Sequence, residues 1–231
     1  MKKTMILLLV SILVYLTTGC KKHTEIEPEP NPIDLSLKVG NIYCDDGSAI
    51  DPYNYKQLGM TNAVGVIFWV NDSLEVEDKA YIVSLKDAEL YGQHLCSWSD
   101  TLVSTGVSTS ISALDGAANT TKIVSFQLEN GGYFMAKDFA TSYHEGDFKS
   151  WYLPSAAQLI QLYLNMEPVT YALECCSGED FSRVWYWTST EDNDGSESKK
   201  YNACIVSLEE GHIQASLKTN FHNVRPIKTI K

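Results

Sequence analysis

The chain has 231 residues, 44% of them hydrophobic, and a formal net charge of −11 at pH 7. This length and apolar content suit one globular domain with a sizeable core. The acidic balance argues against binding of DNA, RNA or sulfated polyanions through a broad basic patch, and it would repel anionic lipid. We therefore expect no nucleic-acid partner.

Residues 1–19 have the pattern of a secretory signal peptide. Lys2 and Lys3 precede an apolar run over residues 5–16, which is too short for a membrane-spanning helix, and small residues follow up to Cys20. The alternative interpretation is an ordinary secreted protein whose cysteine lies at this point by chance. No later stretch of the sequence is long and apolar enough to span a bilayer.

The segment 16–20, Leu-Thr-Thr-Gly-Cys, resembles the lipobox of bacterial lipoproteins. The resemblance implies that Cys20 is lipidated and becomes the first mature residue, which would anchor the chain to a membrane without spanning it. Loss of residues 1–19 removes two lysines and no acids, and changes the net charge from −11 to −13. We expect a lipid-anchored protein of the cell envelope, at the outer membrane, facing the periplasm or the exterior.

Residues 20–34 are predicted to be the lipid attachment site and a flexible tether. Residues 21–34 contain three Glu and three Pro and no apolar period, and proline-rich polar segments stay extended. The charges could also form a sorting signal, although a solvated spacer explains them as well. Residues 35–231 are expected to form a single domain.

Strands are predicted on both sides of a helical middle. A short strand is expected within 41–51, a buried strand over 63–70, and a second strand over 81–85 that closes a hairpin with a long loop. Residues 86–113 have no clear pattern and are not assigned. After the helices, strands are predicted over 184–190, over 201–208 and 212–217 joined through Glu210-Gly211, and over 224–227.

The first predicted helix follows Asn119 or Thr120, either of which is a good N-cap, and its residues Ile123, Phe126 and Gln127 share one face. A break at Gly131-Gly132 separates it from a second helical segment. In that segment Phe134, Met135, Phe139 and Tyr143 recur at helical spacing.

The stretch 151–165, WYLPSAAQLIQLYLN, is predicted to be a central core helix. Leu153-Pro154 is interpreted as the sharp start of the helix, because proline suits the first helical turn. Leu159, Leu162 and Tyr163 lie on one face, which Ile160 and Leu164 widen. Because the helices lie in the middle and the strands on both sides, the predicted class is α+β.

Five cysteines follow Cys20, namely Cys44, Cys96, Cys175, Cys176 and Cys204. An odd number leaves at least one unpaired or paired between chains, and the spacing does not decide the pairing. Adjacent Cys175-Cys176 lack the two-residue gap with which both sulfurs would bind one zinc ion. Apolar filler or a structural disulfide is favoured over a metal or redox role. Cys204 lies in a strand-like run and is expected to be buried.

Catalytic motifs are absent from the sequence. The five histidines have no zinc-like spacing, and His144-Glu145 lacks the second histidine of a metalloprotease helix. No Gly-x-Ser-x-Gly elbow occurs, and a carboxylate pair for glycoside hydrolysis cannot be chosen without coordinates. We therefore expect no catalytic residues, no cofactor and no metal.

Six motifs occur in an order that resembles the Lcl C-terminal domain family: GVIFWV, SLKDA, DGAANT, WYLPSAAQL, YWTSTE and VRPIK. The family is a branch of the C-type-lectin-like folds related in shape to the formylglycine-generating enzymes, and it is often found in surface lipoproteins of Bacteroidetes. The resemblance covers residues 40–228. It implies that the chain ends meet in a small antiparallel sheet, that two helical regions flank it, and that a loop-rich face binds ligands.

On this sequence that ligand face would include the aromatic strand and the acidic loop after it. The candidate residues are Trp185, Tyr186, Glu191, Asp192, Asn193 and Asp194. The carboxylates supply hard oxygens of the type that calcium prefers, but the Asp-x-Asp-x-Asp-Gly spacing is absent, so a solvated acidic turn is favoured over a calcium site. Trp185, Tyr186 and Trp187 could stack on a sugar, although strand alternation places part of this cluster in the core.

The function favoured by the sequence is a non-catalytic, lipid-anchored envelope protein that binds a glycan or a protein through this face, as an adhesin or an accessory of a surface assembly. One alternative is an enzyme acting on a surface polymer or a cysteine-containing protein. Another is a structural subunit of a surface fibre, for which an exposed apolar groove or an unpaired edge strand would be the sign.

Overall fold

The structure is a computed structural model that describes residues 36–71, 73, 77–182, 184–195 and 197–231. The predicted signal peptide, the lipidation residue Cys20 and the tether lie outside these residues. Within the described ranges no helix has the length and apolarity needed to cross a membrane.

The elements follow one another in the order strand, helix, strand, helix, strand. The strands are β1 (Ile42–Cys44), β2 (Ala49–Ile50), β3 (Ala63–Val70), β4 (Ala80–Val83), β5 (Trp185–Glu191), β6 (Asn202–Ser207), β7 (Ile213–Leu217) and β8 (Ile227–Ile230). The helices are α1 (Pro52–Gln57), α2 (Gly116–Asn130), α3 (Met135–Ser142), α4 (Ala156–Leu164), α5 (Met166–Cys175) and α6 (Ser198–Tyr201).

Two antiparallel sheets organise the fold. The larger sheet has the order β2-β1-β3-β4-β8, and the smaller has the order β5-β6-β7. The strands near the two ends of the described chain therefore share one sheet, with β3 and β4 between them. The predicted α+β class is confirmed, with two small antiparallel sheets and several helices.

Strands β3, β5 and β6 are covered on both faces. Val64 and Ile67 of β3 belong to one buried apolar cluster, and Val66 and Phe68 belong to a second cluster. The same split occurs in β5 and β6, whose neighbouring residues alternate between the clusters. Because successive side chains of a strand point to opposite faces, apolar runs such as AVGVIFWV are needed where both faces are buried.

The strand predictions were confirmed except at the C-terminus. The strand over 63–70 has the predicted bounds, and β6 and β7 form the predicted hairpin around Gly211. The last strand is β8 rather than 224–227. Val224 is buried as a strand residue would be, but Pro226 has no N–H to contribute to the ladder, and pairing with β4 begins at Ile227.

The predicted N-cap of the first helix was wrong. Helix α2 begins at Gly116, with Asp115 in the cap position, one turn before the prediction. Asn119 and Thr120 lie inside the helix and are buried, and they bind backbone of other segments: Asn119 Oδ1 accepts from Ser108 N–H at 3.0 Å. The predicted face with Ile123 inward and the break at Gly131-Gly132 were confirmed.

The central helix α4 begins two residues after Pro154, so the prediction of a proline in its first turn was wrong. Ser155 is the N-cap: its Oγ accepts from Gln158 N–H, and the Gln158 side chain accepts from Ser155 N–H at 3.0 Å. Pro154 contributes its carbonyl oxygen, which accepts from Ser189 N–H at 2.7 Å and ties the helix start to β5. Leu159 and Leu162 are fully buried as predicted, whereas Leu164 is exposed.

Candidate functional site

Strand β5 supplies only part of the predicted ligand face. Tyr186 is fully buried, and its hydroxyl donates to Asp87 Oδ2 at 3.0 Å. Trp187 is fully buried on the opposite face, where its Nε1 donates to Cys96 O at 2.8 Å. Trp185 is half-buried against the core. The structure therefore contradicts the proposal of Tyr186 as a ligand-contacting residue, because both sides of this strand are covered.

Glu191 is also unavailable to a ligand. Its side chain is fully buried and forms an ion pair with Lys218 at 2.6 Å. It also accepts from Thr105 N–H and Ser104 Oγ, both at 2.9 Å. Burial lowers the pKa of Lys218, and the Glu191 carboxylate acts in the opposite direction by stabilising the ammonium. Glu191 is a structural residue that binds Ser104 and Thr105 to the smaller sheet.

The exposed part of the predicted face is short. Asp192 is half-buried and its carboxylate accepts from Ser198 Oγ, while Asn193 and Asp194 are exposed. A calcium ion needs several oxygens that converge on one point. Glu191 is bound to Lys218, so its oxygens do not converge with those of the exposed Asn193 and Asp194. Among the described residues no group of three or more His, Cys, Asp or Glu side chains could hold a metal ion.

The cysteines occur as free thiols in the described structure. Cys44, Cys96 and Cys204 are buried, as expected for Cys204, and Cys175 and Cys176 are half-buried at the end of α5. Burial raises the pKa of Cys176 to about 11 and that of Cys204 to about 12. These two thiols therefore stay protonated near neutral pH, where they are poor nucleophiles and metal ligands.

An acidic groove of about 610 Å³ lies between the β1–β2 turn and the segment after α3. Asp45, Glu145 and Asp147 line it. Two of these carboxylates already have partners, since Asp45 accepts from Asn62 Nδ2 at 3.0 Å and Glu145 accepts from the Tyr143 hydroxyl. The ring of Phe148 in its wall is covered by Lys228, whose Nζ lies 4.9 Å from the ring centroid. Lys228 therefore occupies one face of the half-buried Phe148 ring.

A second groove, of about 550 Å³, has two exposed tyrosines at its rim. We call it the tyrosine groove and define it by its lining residues: Tyr91 and Tyr133 at the rim, Leu90 and Met135, Gln127 of α2, and Asp138, Thr141 and Ser142 of α3. Tyr91 is 89% exposed and Tyr133 is 66% exposed. Leu90 and Met135 pack against the core and form the apolar base.

Tyr91 occupies the tip of a two-residue turn. Leu90 and Gln93 exchange backbone hydrogen bonds at 3.1 and 3.0 Å, and the two residues between them, Tyr91 and Gly92, have φ of +54° and +73°. Positive φ at both central positions is typical of a type I′ turn, which favours Asn-Gly or Asp-Gly. Tyrosine at the first position is strained.

Tyr133 is held in place from both sides of its backbone. Its N–H donates to Asp100 Oδ1 at 2.9 Å, and its carbonyl oxygen accepts from Asp100 N–H at 3.0 Å. The next residue, Phe134, is buried and makes edge-to-face contacts with Trp98 and Phe126. The core therefore fixes the position of Tyr133 while its ring points away from the core.

The wall formed by α3 is joined to α2 by a buried lysine. Lys137 Nζ donates to Gln127 Oε1 at 2.6 Å and to the Asp138 carboxylate. Gln127 Nε2 in turn donates to Gly132 O at 3.0 Å. These bonds fix the geometry of the polar wall and compensate the charge of Asp138.

Comparison with protein-family models and with curated proteins gave no match. Among solved structures the chain is similar to a fimbrial protein from Bacteroides ovatus ATCC 8483, with a TM-score of 0.59 and 18% sequence identity. The match covers 83% of this chain and 48% of the fimbrial protein, so the chain spans about half of that protein's length. The likeness is one of fold.

The sequence did not point to the tyrosine groove. Tyr91 lies in the unassigned segment 86–113, because Tyr-Gly is not one of the usual hairpin dipeptides. Tyr133 directly follows Gly131-Gly132, whose pattern indicates only a helix break. At both Tyr91 and Tyr133 the available signal was an aromatic residue next to a glycine, and that glycine has positive φ in the structure.

Proposed function

We propose that this chain is a lipid-anchored protein of the cell envelope that acts by binding a surface partner rather than by catalysis, as an adhesin or an accessory of a surface fibre. We also propose that its α+β domain has the C-type-lectin-like fold of the Lcl C-terminal family. The lipobox-like segment before Cys20 and the likeness of fold to a fimbrial protein support this function.

The observation that carries the proposal is the tyrosine groove. Two aromatic side chains that are largely exposed stand at the rim of a concave surface whose frame is fixed by the core. Tyrosine supplies a large contact area with a polar tip, and binding sites place such residues on rigid supports. The raised pKa of the Cys176 thiol weakens the alternative of cysteine-based catalysis.

The binding function is tested with the full chain on an array of cell-surface glycans and surface proteins. Saturable binding to at least one class, competed by the same ligand in solution, is expected. A matched variant, Asn193→Ala with Asp194→Ala, removes the exposed polar groups of the acidic loop. If the ligand binds in the tyrosine groove, this variant should bind as the unaltered chain does. Failure of the full chain to bind any surface glycan or surface protein would contradict the proposal.

The anchor is tested by comparing the full chain with Cys20→Ser in its native type of cell. The unaltered chain should incorporate labelled fatty acid and sediment with membranes, because acylation needs the cysteine thiol. The variant should do neither. Equal distribution of both proteins in the soluble fraction would exclude the lipid anchor without deciding what the domain binds.

A structural subunit of a fibre is the second candidate, and strand β7 favours it. Strand β7 is the edge of the smaller sheet, and it leaves Ala215 and Leu217 exposed. Ser207 N–H donates to His212 O, and this register directs the amide of Ala215 away from β6. Such an edge can accept a strand from another chain.

Ala215→Pro tests this candidate, because it removes the outward N–H and leaves the bonds to β6 in place. If the chain assembles through β7, the full chain should form multimers in light scattering and the variant should stay monomeric with a similar melting temperature. Identical assembly of both proteins would exclude β7 as the assembly edge.

A further inference from the structure

We propose that the tyrosine groove is a saccharide-binding site that takes a neutral glycan. The inference deepens the proposed binding function and rests on it, since it names the ligand class and the residues that contact it. Four observations support it: the conformation of Tyr91, the support of Tyr133, the polar wall, and the charge of the protein.

The conformation of Tyr91 indicates that its ring serves something outside the fold. A non-glycine residue at φ of +54° is strained, and the turn would be better served by Asn or Asp. Packing does not compensate this strain, because the residue is 89% exposed. Strained residues persist at sites of function, where the surroundings hold them in place. The fold therefore exposes the Tyr91 ring to solvent although the backbone conformation there lowers stability.

The second ring allows a ligand in the groove to contact two aromatic residues. Tyr133 lines the same groove, and the reciprocal bonds with Asp100 keep its backbone fixed. The backbone of Tyr133 is therefore already ordered before a ligand binds, which reduces the entropic cost of binding. Rigid aromatic residues with few rotatable bonds are well suited to this task.

The wall of the groove matches the hydroxyl groups of a sugar. Asp138, Thr141 and Ser142 line it with a carboxylate and two hydroxyl groups. Thr141 Oγ1 and Ser142 Oγ donate to backbone oxygens of α3, which leaves their lone pairs to accept hydrogen bonds. A sugar offers C–H faces to the rings and hydroxyl donors to these acceptors, as pockets with few placed polar groups require.

The charge of the protein favours a neutral glycan. The chain has a net charge of −11, and Asp138 in the wall is already compensated by Lys137. No uncommitted cation among the lining residues is therefore offered to a sulfate or a uronate. A proline-rich peptide also uses aromatic grooves. It would leave the acceptors of this wall without donors, since a proline-rich segment has few N–H groups.

The test is affinity electrophoresis of the full chain in native gels that contain mannan, β-glucan, galactan or xylan, with chondroitin sulfate as the anionic comparison. Retardation by at least one of the neutral polysaccharides is expected. Tyr91→Asn and Tyr133→Ser should each weaken that retardation at least about tenfold, as for a central aromatic contact. Asn is accepted at the φ of Tyr91, so this variant keeps the turn.

Tyr171→Ser is the matched control, because it removes a tyrosine that is 50% exposed on α5, outside the groove. It should leave retardation unchanged. Retardation that survives both groove variants, or that only chondroitin sulfate causes, would overturn the inference.

The failures of the two proposals can be told apart. Binding to surface proteins on the array without retardation by any neutral polysaccharide overturns the saccharide site and leaves the binding function in place. Displacement of the array-bound protein by a polyproline peptide, with loss of binding in Tyr91→Asn, also overturns it in favour of a peptide. Absence of all binding counts against both.

Discussion

The backbone of Tyr91 gives the most specific prediction at the scale of single residues. The left-handed conformation costs most residues about 1–2 kcal/mol, and it costs Asn less because its short polar side chain can hydrogen-bond locally. Replacement of Tyr91 by Asn also removes a ring that is largely exposed. We expect Tyr91→Asn to raise the free energy of unfolding by up to about 1 kcal/mol. Urea denaturation measures it.

The control for this variant is Gly92→Ala in the same turn. Gly92 has φ of +73°, and a Cβ added there would meet no other atom within 4 Å. Any loss of stability in Gly92→Ala is therefore caused by backbone strain and not by a steric clash. Gly92→Ala should destabilise where Tyr91→Asn stabilises. A loss of stability in Tyr91→Asn would mean that the ring contributes to the fold, and the strain argument would fail.

His222 gives the fold a pH dependence. It packs edge-to-face on Trp187, with ring centroids 4.7 Å apart, and it shares a hydrogen bond of 2.9 Å with Ser216. Burial lowers its pKa below the ordinary value of 6.5. Between the lowered pKa and 6.5 the unfolded chain binds more protons, so stability should fall as the pH drops through this window, by at most about 1.4 kcal/mol per pH unit.

Denaturation of His222→Gln between pH 7 and pH 5 tests this expectation. The variant should show a smaller loss of stability than the unaltered chain. His94→Gln is the matched control, because the His94 side chain is 72% exposed. An equal slope in the chain and in His222→Gln would show that other groups cause the pH dependence.

Glu191, a candidate residue of the predicted ligand face, forms a buried ion pair with Lys218. Lys218 Nζ also donates to Val103 O and Lys199 O, so all three of its protons have acceptors. Lys218→Met leaves the Glu191 carboxylate buried without its cation and should cost about 3–5 kcal/mol. Urea denaturation measures the loss.

Two controls accompany Lys218→Met. Lys200→Met removes an exposed ion pair with Glu197 and should change stability little. Adding Glu191→Leu to Lys218→Met should restore part of the lost stability, because no unpaired charge is then buried. If Lys218→Met behaved like Lys200→Met, the ion pair would not be a buried structural contact.

At the scale of elements, α2 and α4 meet at their N-termini. A Cβ on Gly116 would lie 2.3 Å from Gln158 Oε1 and 2.7 Å from Ser155 N, which is too close for any side chain. Alanine is normally favoured over glycine in a helix by about 1 kcal/mol. Here we expect Gly116→Ala to lower the melting temperature, because it breaks the capping box of α4.

Ala118→Gly, at an exposed position of the same helix, is the matched control. It should also destabilise, by the ordinary propensity difference of about 1 kcal/mol. The two helices would not be in contact as described if Gly116→Ala were stabilising in thermal denaturation.

The sequence predicted an element correctly where its local pattern agreed with its position in the tertiary structure. Strand β3 was predicted at its observed bounds because an apolar β-branched run has no good alternative. The start of α4 was misplaced because the proline was weighed more heavily than Ser155, whose cap uses a partner three residues later. Helices α1 and α5 were not predicted. Helix α1 has six residues and begins at Pro52, and α5 has Pro168 in its first turn. The two helices contact each other, and α5 also packs on β3, so tertiary packing supports them.

For the whole molecule, the sequence predicted the α+β class correctly, whereas the envelope address stays a prediction and the site was not predicted. The family resemblance placed Tyr186 and Glu191 on the ligand face, but both are fully buried. Strand β5 contains Thr and Ser, so its sequence lacks the continuous apolar run that indicates a strand covered on both faces. The tyrosine groove joins a turn near residue 91 to a helix junction near residue 133. Distant segments of this kind are brought together only by the tertiary fold.

We expect the domain to bind a neutral glycan in the groove that Tyr91 and Tyr133 line. NMR of the full chain with ¹³C-labelled tyrosine rings tests it most directly, because the chain has 13 tyrosines and Tyr91→Asn and Tyr133→Ser assign the two signals. On titration with oligosaccharides cut from the most strongly retarding polysaccharide, we expect those two signals to shift while that of Tyr171 stays in place. Shifts confined to other tyrosines, or no shifts at all, would contradict the account.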